Sequence, residues 1–265
     1  PIYPVYIRDG AGNVMKDIRG LQMYDFGDGK NAGMVRPNAP NANPLRLMTL
    51  DRNISEGNAF TGTAFAEVKF LQDFKFTFNV GTGVDGRRHT SMNNMYYGQF
   101  ATNGGTLYKE HEQKFYVNLQ QLLSYDRTFA DVHNLGLLLG HETYRMNNVS
   151  VSGYKTNMFS IDNLELGGAV IDGQQAASSR SEYNNEGFFF RAQYDYADRI
   201  FLSGSYRLDA SSRFHKDRRW GSFWSFGAGW LINHESWFNA YWVDMLKLKA
   251  SAGSQGNDGI PDYLY

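Results

Sequence analysis

The sequence predicts an all-β chain, a segment of about eight strands of an antiparallel transmembrane β-barrel with long extracellular loops. Three observations predict it. Apolar and polar residues alternate through successive segments of about 9 to 14 residues, where ~9–11 suffice to cross a bilayer at a tilt. Tight turns alternate with long polar connections, as short periplasmic turns alternate with outer loops in barrels. Aromatic residues make up 15% of the chain, with 17 Tyr, and stand beside 28 Gly, a mix suited to twisted strands with interfacial girdles.

Residues 1–57 carry five of the six prolines, with Asp9-Gly10, Gly27-Asp28-Gly29 and the Asn/Pro-rich stretch 37–44, and show no sustained period. They are expected to form an extracellular loop region with short hairpins, and 58–265 the barrel strands and their loops. From Gly62 to Phe70, Ala64, Ala66, Val68 and Phe70 oppose Thr63, Glu67 and Lys69, with Phe65 out of step. Past a turn at 71–73, Phe74, Phe76, Phe78 and Val80 oppose Lys75, Thr77, Asn79 and Gly81. A long connection is expected over 84–110. Phe115, Val117 and Leu119 then alternate with Tyr116, Asn118 and Gln120, and beyond a turn near 126–130, Leu135, Leu137 and Leu139 oppose Asn134, Gly136, Gly140 and Glu142, with Leu138 as the misfit.

A second long connection is expected over 145–185. Phe188, Phe190, Ala192, Tyr194 and Tyr196 next oppose Arg191, Gln193 and Asp195. The turn 197–199 leads to Ile200, Leu202, Gly204, Tyr206 and Leu208 against Ser203, Ser205, Arg207 and Asp209, a tight hairpin. Trp224, Phe226, Ala228, Trp230 and Ile232 oppose Ser225, Gly227 and Gly229, and Leu246, Leu248, Ala250 and Ala252 oppose Lys247, Lys249 and Ser251. The aromatic stretch 234–243 between them is expected to hold a turn of helix at the interface. The C-terminal 260–265, with its proline, reads as loop.

This alternation divides the candidate residues. Lys75, Asn79, Arg191, Gln193, Asp195, Arg207, Asp209, Lys247 and Lys249 are expected to face the lumen. Phe74, Phe76, Phe78, Leu135, Leu137, Leu139, Tyr194, Tyr196, Trp224, Phe226 and Trp230 are expected to face lipid or form the girdles.

Composition excludes several classes. With 26 basic against 27 acidic residues and a net charge of −1, no positive footprint for nucleic acid is present. The absence of cysteine rules out disulfides, thiolate metal sites and a Cys nucleophile. No apolar run reaches about 18 residues, so no transmembrane helix is expected, and a polar mean hydropathy is what lumen and lipid residues in alternation produce. The chain opens without a signal peptide and reads as processed or as a piece of a longer polypeptide.

The motifs favour their plainer readings. Gly81-Thr82-Gly83-Val84-Asp85-Gly86 fits GxGxxG, but no helical period follows it, so it reads as a glycine-rich loop rather than a phosphate cradle. His133 and His141 stand eight apart and the other histidines are scattered, so no metal site is expected. The Asp9 to Asn13 stretch reads as a hairpin turn and not a calcium loop. No catalytic motif and no cofactor site is found. Lumen carboxylates opposite Arg191, Arg207, Lys247 and Lys249 read as a polar wall.

The run from Glu182 to Phe189, then Arg191-Ala192-Gln193-Tyr194-Asp195-Tyr196, then Leu202 to Phe214, followed by Arg219-Trp220-Gly221 with Phe223 and by Leu246 to Gly253 leading to Gly256-Asn257, resembles the barrel of SusC/RagA-type TonB-dependent outer-membrane transporters. Ala210, Ala252 and Phe190 depart from that pattern without disturbing the alternation. The resemblance implies a 22-stranded plugged barrel in the bacterial outer membrane, of which this chain would be an internal part. It also implies import of oligosaccharides or peptides, a SusD-like surface lipoprotein over the outer loops, outer-membrane lipid around the wall, and energy from the TonB complex through the plug. Two other readings stand beside it: a self-contained eight-stranded barrel with a structural or adhesive role, and a secreted carbohydrate-binding β-sandwich. Sandwich strands average about 5–6 residues, roughly half the length expected here.

Overall fold

A computed structural model of the chain describes residues 4–38 and 43–261, with the backbone alone at 172–175. Among the described residues, eight strands form one sheet in sequence order. They are β1 (Arg52–Phe70), β2 (Phe74–Asn93), β3 (Thr106–Phe129), β4 (His133–Met158), β5 (Ala169–Tyr196), β6 (Ile200–Ser211), β7 (Trp220–Leu231) and β8 (Lys247–Gly253). A short helix, α1 (Pro44–Leu50), precedes them. The stretches expected as loop at 39–42 and 262–265 lie outside the described residues.

The tight turns are sharper than their sequences advertise. Leu71 and Gln72, Ala130 and Asp131, and Ala197 and Asp198 all have positive φ, between 47° and 61°. Two successive positive-φ residues make the turn whose twist matches that of the flanking strands.

Strand length is where structure and sequence part. The connection expected over 84–110 contains the last ten residues of β2 and the first five of β3, and that expected over 145–185 contains the ends of β4 and β5. Backbone pairing continues there, but apolar residues are sparse, with Met92, Leu107, Met158 and Ala169 gathered in one small core, and the long alternation that marks a strand is lost. The region 1–57 also holds more structure than its composition announces: β1 begins at Arg52, α1 precedes it, and bridges pair Arg8 with Val14, Lys16 with Gln22, Tyr6 with Tyr24 and Asp28 with Val35. Asp9 accepts from the backbone N–H groups of Ala11 (2.9 Å) and Asn13 (2.8 Å), so its stretch is a hairpin turn. At 234–243 only Ile232–His234 forms a turn of 3-10 helix.

By its contacts the chain divides into two compact units. The first comprises Pro1–Asn58, Asp85–Gln113 and Val149–Arg180. It has a core of Met92, Leu107, Met158 and Ala169, with Met95, Ile161, Leu164 and Leu166 packed against it. Its N-terminal hairpins are tied down by polar residues: Asn43 caps α1 and donates to the carbonyls of Val5 (3.1 Å) and Asp25 (2.8 Å), and the Arg46 guanidinium lies over the rings of Tyr24 (4.8 Å) and Tyr97 (5.0 Å). Tyr97 donates a 2.6 Å hydrogen bond to Asp17, and this bond, more than the Arg19 contact, holds the Asp17 carboxyl well below the usual range.

The second unit comprises Ala59–Val84, Lys114–Asn148 and Ser181–Tyr265. Every buried hydrophobic residue among those described belongs to the first unit: Ile7, Tyr24, Phe26, Leu50, Met92, Leu107, Met158 and Ala169. The second unit instead exposes Phe76, Leu139, Phe188, Phe190, Leu202, Tyr206, Trp224, Phe226 and Leu248. A sheet with this much aromatic surface and no interior to hide it is unlike a water-soluble domain.

Candidate functional site

The registers of the second unit place the predicted residues. On one face, Arg191 pairs with Ser205 and Ser205 with Ser225, while Gln193, Ser203, Gly227 and Ser251 form the next row. Asp195, Phe201, Gly229 and Lys249 form another, Lys247 pairs with Leu231, and Arg207 and Asp209 stand opposite Phe189 and Gly187. On the other face run Tyr194, Leu202, Ala228 and Ala250, then Phe190, Tyr206 and Trp224, then Tyr196, Ile200, Trp230 and Leu248, with Phe226 between Gly204 and Ala252. The seven predicted polar residues of β5 to β8 therefore share one face, and Tyr194, Tyr196, Trp224, Phe226 and Trp230 share the other. In β2 and β4 the strand period separates Lys75 and Asn79 from Phe74, Phe76 and Phe78, and keeps Leu135, Leu137 and Leu139 together.

The polar face is built around one cation. Arg207 Nε lies 2.7 Å from Asp209, its terminal nitrogen 3.4 Å from Glu142 on β4, and its guanidinium over the ring of Phe189 at 5.1 Å. Asn118 reaches the same Glu142 at 3.4 Å. Gly140 and Gly187 leave the room: a side chain at Gly140 would meet the Phe189 ring, and one at Gly187 would meet Asp209 and Arg207. Asn79 donates to Gln120 at 3.0 Å. Toward the tight turns, Asn134 donates to Asp195 (2.8 Å), and Lys247 sits over Phe201 at 4.2 Å. A cavity of about 740 Å³ opens there beside Gln193, Asp195 and Ser203.

Three tyrosines cross this face on neighbouring strands, with ring centroids 6.2 Å apart for Tyr116 and Tyr144 and 5.9 Å for Tyr144 and Tyr183. Tyr183 donates to Asp258, which also accepts from Ser211 at 2.9 Å. The Tyr183 bond chiefly holds the Asp258 carboxyl below its usual range.

Sequence reasoning places Tyr116, Asn118 and Glu142 on the polar side of their strands without singling them out as candidates, and it misses Phe189, Phe201, Tyr144 and Tyr183. For Phe189, Tyr116 and Phe201 the signal is an aromatic residue at a polar-parity position facing a glycine on the neighbouring strand: Phe189 over Gly140, Tyr116 over Gly83, Phe201 opposite Gly229. Gly83, within the GxGxxG match, lies in β2 and not in a loop. His133 and His141 serve other ends: His133 meets the Tyr194 hydroxyl at 2.7 Å, and His141 bridges Gln121 (2.7 Å) and Glu186 (3.0 Å). Among the described residues no cluster of His, Asp and Glu could hold a metal ion. The face offers hydrogen bonds, aromatic rings and a braced guanidinium, the means of binding a polar solute.

No family profile matches the chain. It is similar to the TonB-dependent receptor SusC of Bacteroides thetaiotaomicron, 26% identical over 99% of this chain and 26% of that protein. It is also similar to the TonB-dependent receptors P3 and P39 of Formosa agariphila, 26% and 25% identical over 83% and 97% of this chain. Its fold matches structures of the RagAB peptide transporter with a TM-score of 0.78 at 20% identity, and of the RagAB peptide importer in an open-open state with 0.76 at 21%, each over 93% of this chain and 27% of the solved one. The chain spans about a quarter of the length of these relatives. The likeness to SusC/RagA-type receptors covers nearly the whole chain, and its fold is a partial β-barrel.

Proposed function

We propose that this chain, a stretch of barrel similar to SusC/RagA-type TonB-dependent receptors, forms part of the wall and outer loops of an outer-membrane importer of oligosaccharides or peptides. One observation carries the reading: among its described residues the second unit has no buried apolar core, and its two faces are sorted into an aromatic-aliphatic side and a braced polar side. Hydrocarbon is the solvent that suits the first, and an aqueous lumen the second. The turns at 71–73, 130–132 and 197–199 are then periplasmic, and the connections 94–105 and 159–168 extracellular. Edge strands β1 and β8 are exposed nearly throughout and would pair with further strands of a larger barrel. A SusD-like lipoprotein would meet the outer loops, and TonB would act through a plug of the same receptor.

The test exploits the absence of native cysteine in this stretch. Single cysteines at Gln193 and Ser203 in the complete receptor, modified by a bulky polar thiol reagent, are expected to reduce oligosaccharide or peptide uptake, and one at Tyr194 to resist the reagent. Equal modification at all three positions would remove the wall reading.

A further inference from the structure

The lipid-side face of the second unit changes character along its strands. After Leu139, the alternate residues of β4 are His141, Thr143, Arg145 and Asn147, and before Phe188 those of β5 are Glu186, Asn184 and Glu182. Where this happens a groove of about 970 Å³ opens across β3, β4, β5 and β6. Its lining is apolar along β3, at Phe115, Val117 and Leu119, and includes Arg145 and Arg219.

Its position and its charges both point to a lipid. The groove continues the apolar face on the side away from the tight turns, next to a belt in which Phe188 stacks on Trp220 (6.0 Å) and His141 (4.5 Å). Such belts mark the level of the headgroups. The acids lining the groove are already engaged: Glu186 by His141 at 3.0 Å, and Glu182 by a partner of its own. The cations are not. Arg145 has no hydrogen-bond or ionic partner among the described residues, and Arg219 spends its Nε on the Phe214 carbonyl (3.1 Å), leaving its terminal nitrogens free. Two guanidiniums beside an apolar wall fit a phosphate joined to an acyl chain, since planar N–H forks bind phosphate oxygens in pairs.

We propose that this groove holds one phosphorylated glycolipid of the outer leaflet, its acyl chain along Phe115, Val117 and Leu119 and its phosphate between Arg145 and Arg219. The site rests on the membrane placement proposed above. It would fix the depth of the wall in the bilayer independently of any transported solute.

The experiment uses the complete receptor, purified from outer membranes in mild detergent, with purified rough-type lipopolysaccharide as probe and native mass spectrometry as readout. The double variant Arg145→Ser/Arg219→Ser is expected to retain about tenfold less lipopolysaccharide than wild type, while Lys69→Ser, an exposed cation outside the groove, retains as much. Undiminished retention by the double variant overturns the site while leaving the membrane placement standing. A receptor that fractionates away from the outer membrane and holds no lipid in any form defeats the placement itself. Receptor-to-receptor crosslinking through a cysteine placed at Asn184 would assign the groove to a second copy and overturn the lipid proposal.

Discussion

The phenol of Tyr183 donates a 2.5 Å hydrogen bond to Asp258, joining β5 to the segment that follows β8. Ser211 donates to the same oxygen at 2.9 Å, and Arg213 holds the Asp258 backbone carbonyl at 3.0 Å. A side-chain hydrogen bond contributes about 1 kcal/mol, so Tyr183→Phe is expected to speed amide exchange over 254–261 about fivefold in the complete receptor. The carboxyl is held below its ordinary value, so the tether is at full strength above pH ~4 and weakens as pH falls through the depressed value. Acid should therefore loosen the wild-type segment as the substitution does at neutral pH. Unchanged exchange in Tyr183→Phe would show that the segment is held by other means.

Facing sets the cost of charge. Leu202 lies beside Tyr194 and Ala228 on the apolar side, and Ser203 beside Gln193 and Gly227 on the polar side. Leu202→Arg should cost ~2–4 kcal/mol near the bilayer midplane, and Ser203→Arg little. The readout is the urea midpoint of the folded receptor in detergent or lipid. Equal losses at the two neighbours would contradict the two-sided sheet.

The N-terminal hairpins depend on Tyr97 and Asp17, which meet at 2.6 Å. Because the Asp17 carboxyl is held well below the usual range, its contribution is complete at neutral pH and survives mild acid, fading only in strong acid. Tyr97→Phe removes the main cause of that shift. Proteolysis near 17–20 is expected to rise in Tyr97→Phe at pH 7, and to stay low in wild type at pH 5. Rapid wild-type cleavage at pH 5 would exclude this anchor.

What could be read from the sequence follows from where the two faces of the sheet differ. Phe76, Leu137, Leu202 and Leu248 announce their strands because an apolar face backed by a polar one forces a period of two. Val84–Asn93 and Val149–Met158 are equally regular strands, yet of their residues only Met92 and Met158 enter an apolar core, too few to set a period that the sequence displays. The polar site was legible as a face and not as a constellation: Arg207 and Asp209 are two apart in one strand, but Glu142 comes from β4, and only the register brings it within 3.4 Å. Phe189 and Tyr116 sit at polar-parity positions, where their apolar character hides the glycines that make room for them.

That pairing of aromatic and glycine gives the last prediction. Gly140 lies under the Phe189 ring, which in turn lies under the Arg207 guanidinium held by Asp209 and Glu142. A methyl group at Gly140 would occupy the space of the ring, so Gly140→Ala must displace Phe189 and with it the support of Arg207. Overpacking of this kind costs about 1–3 kcal/mol. If the loss arises from the ring, Phe189→Ala in the same receptor should recover most of it, a non-additivity that two independent sites would not show. The measurement is the temperature at which the receptor loses its compact, heat-modifiable form on a gel. A neutral Gly140→Ala, or a double variant whose losses simply add, would mean that the glycine is not there for the ring.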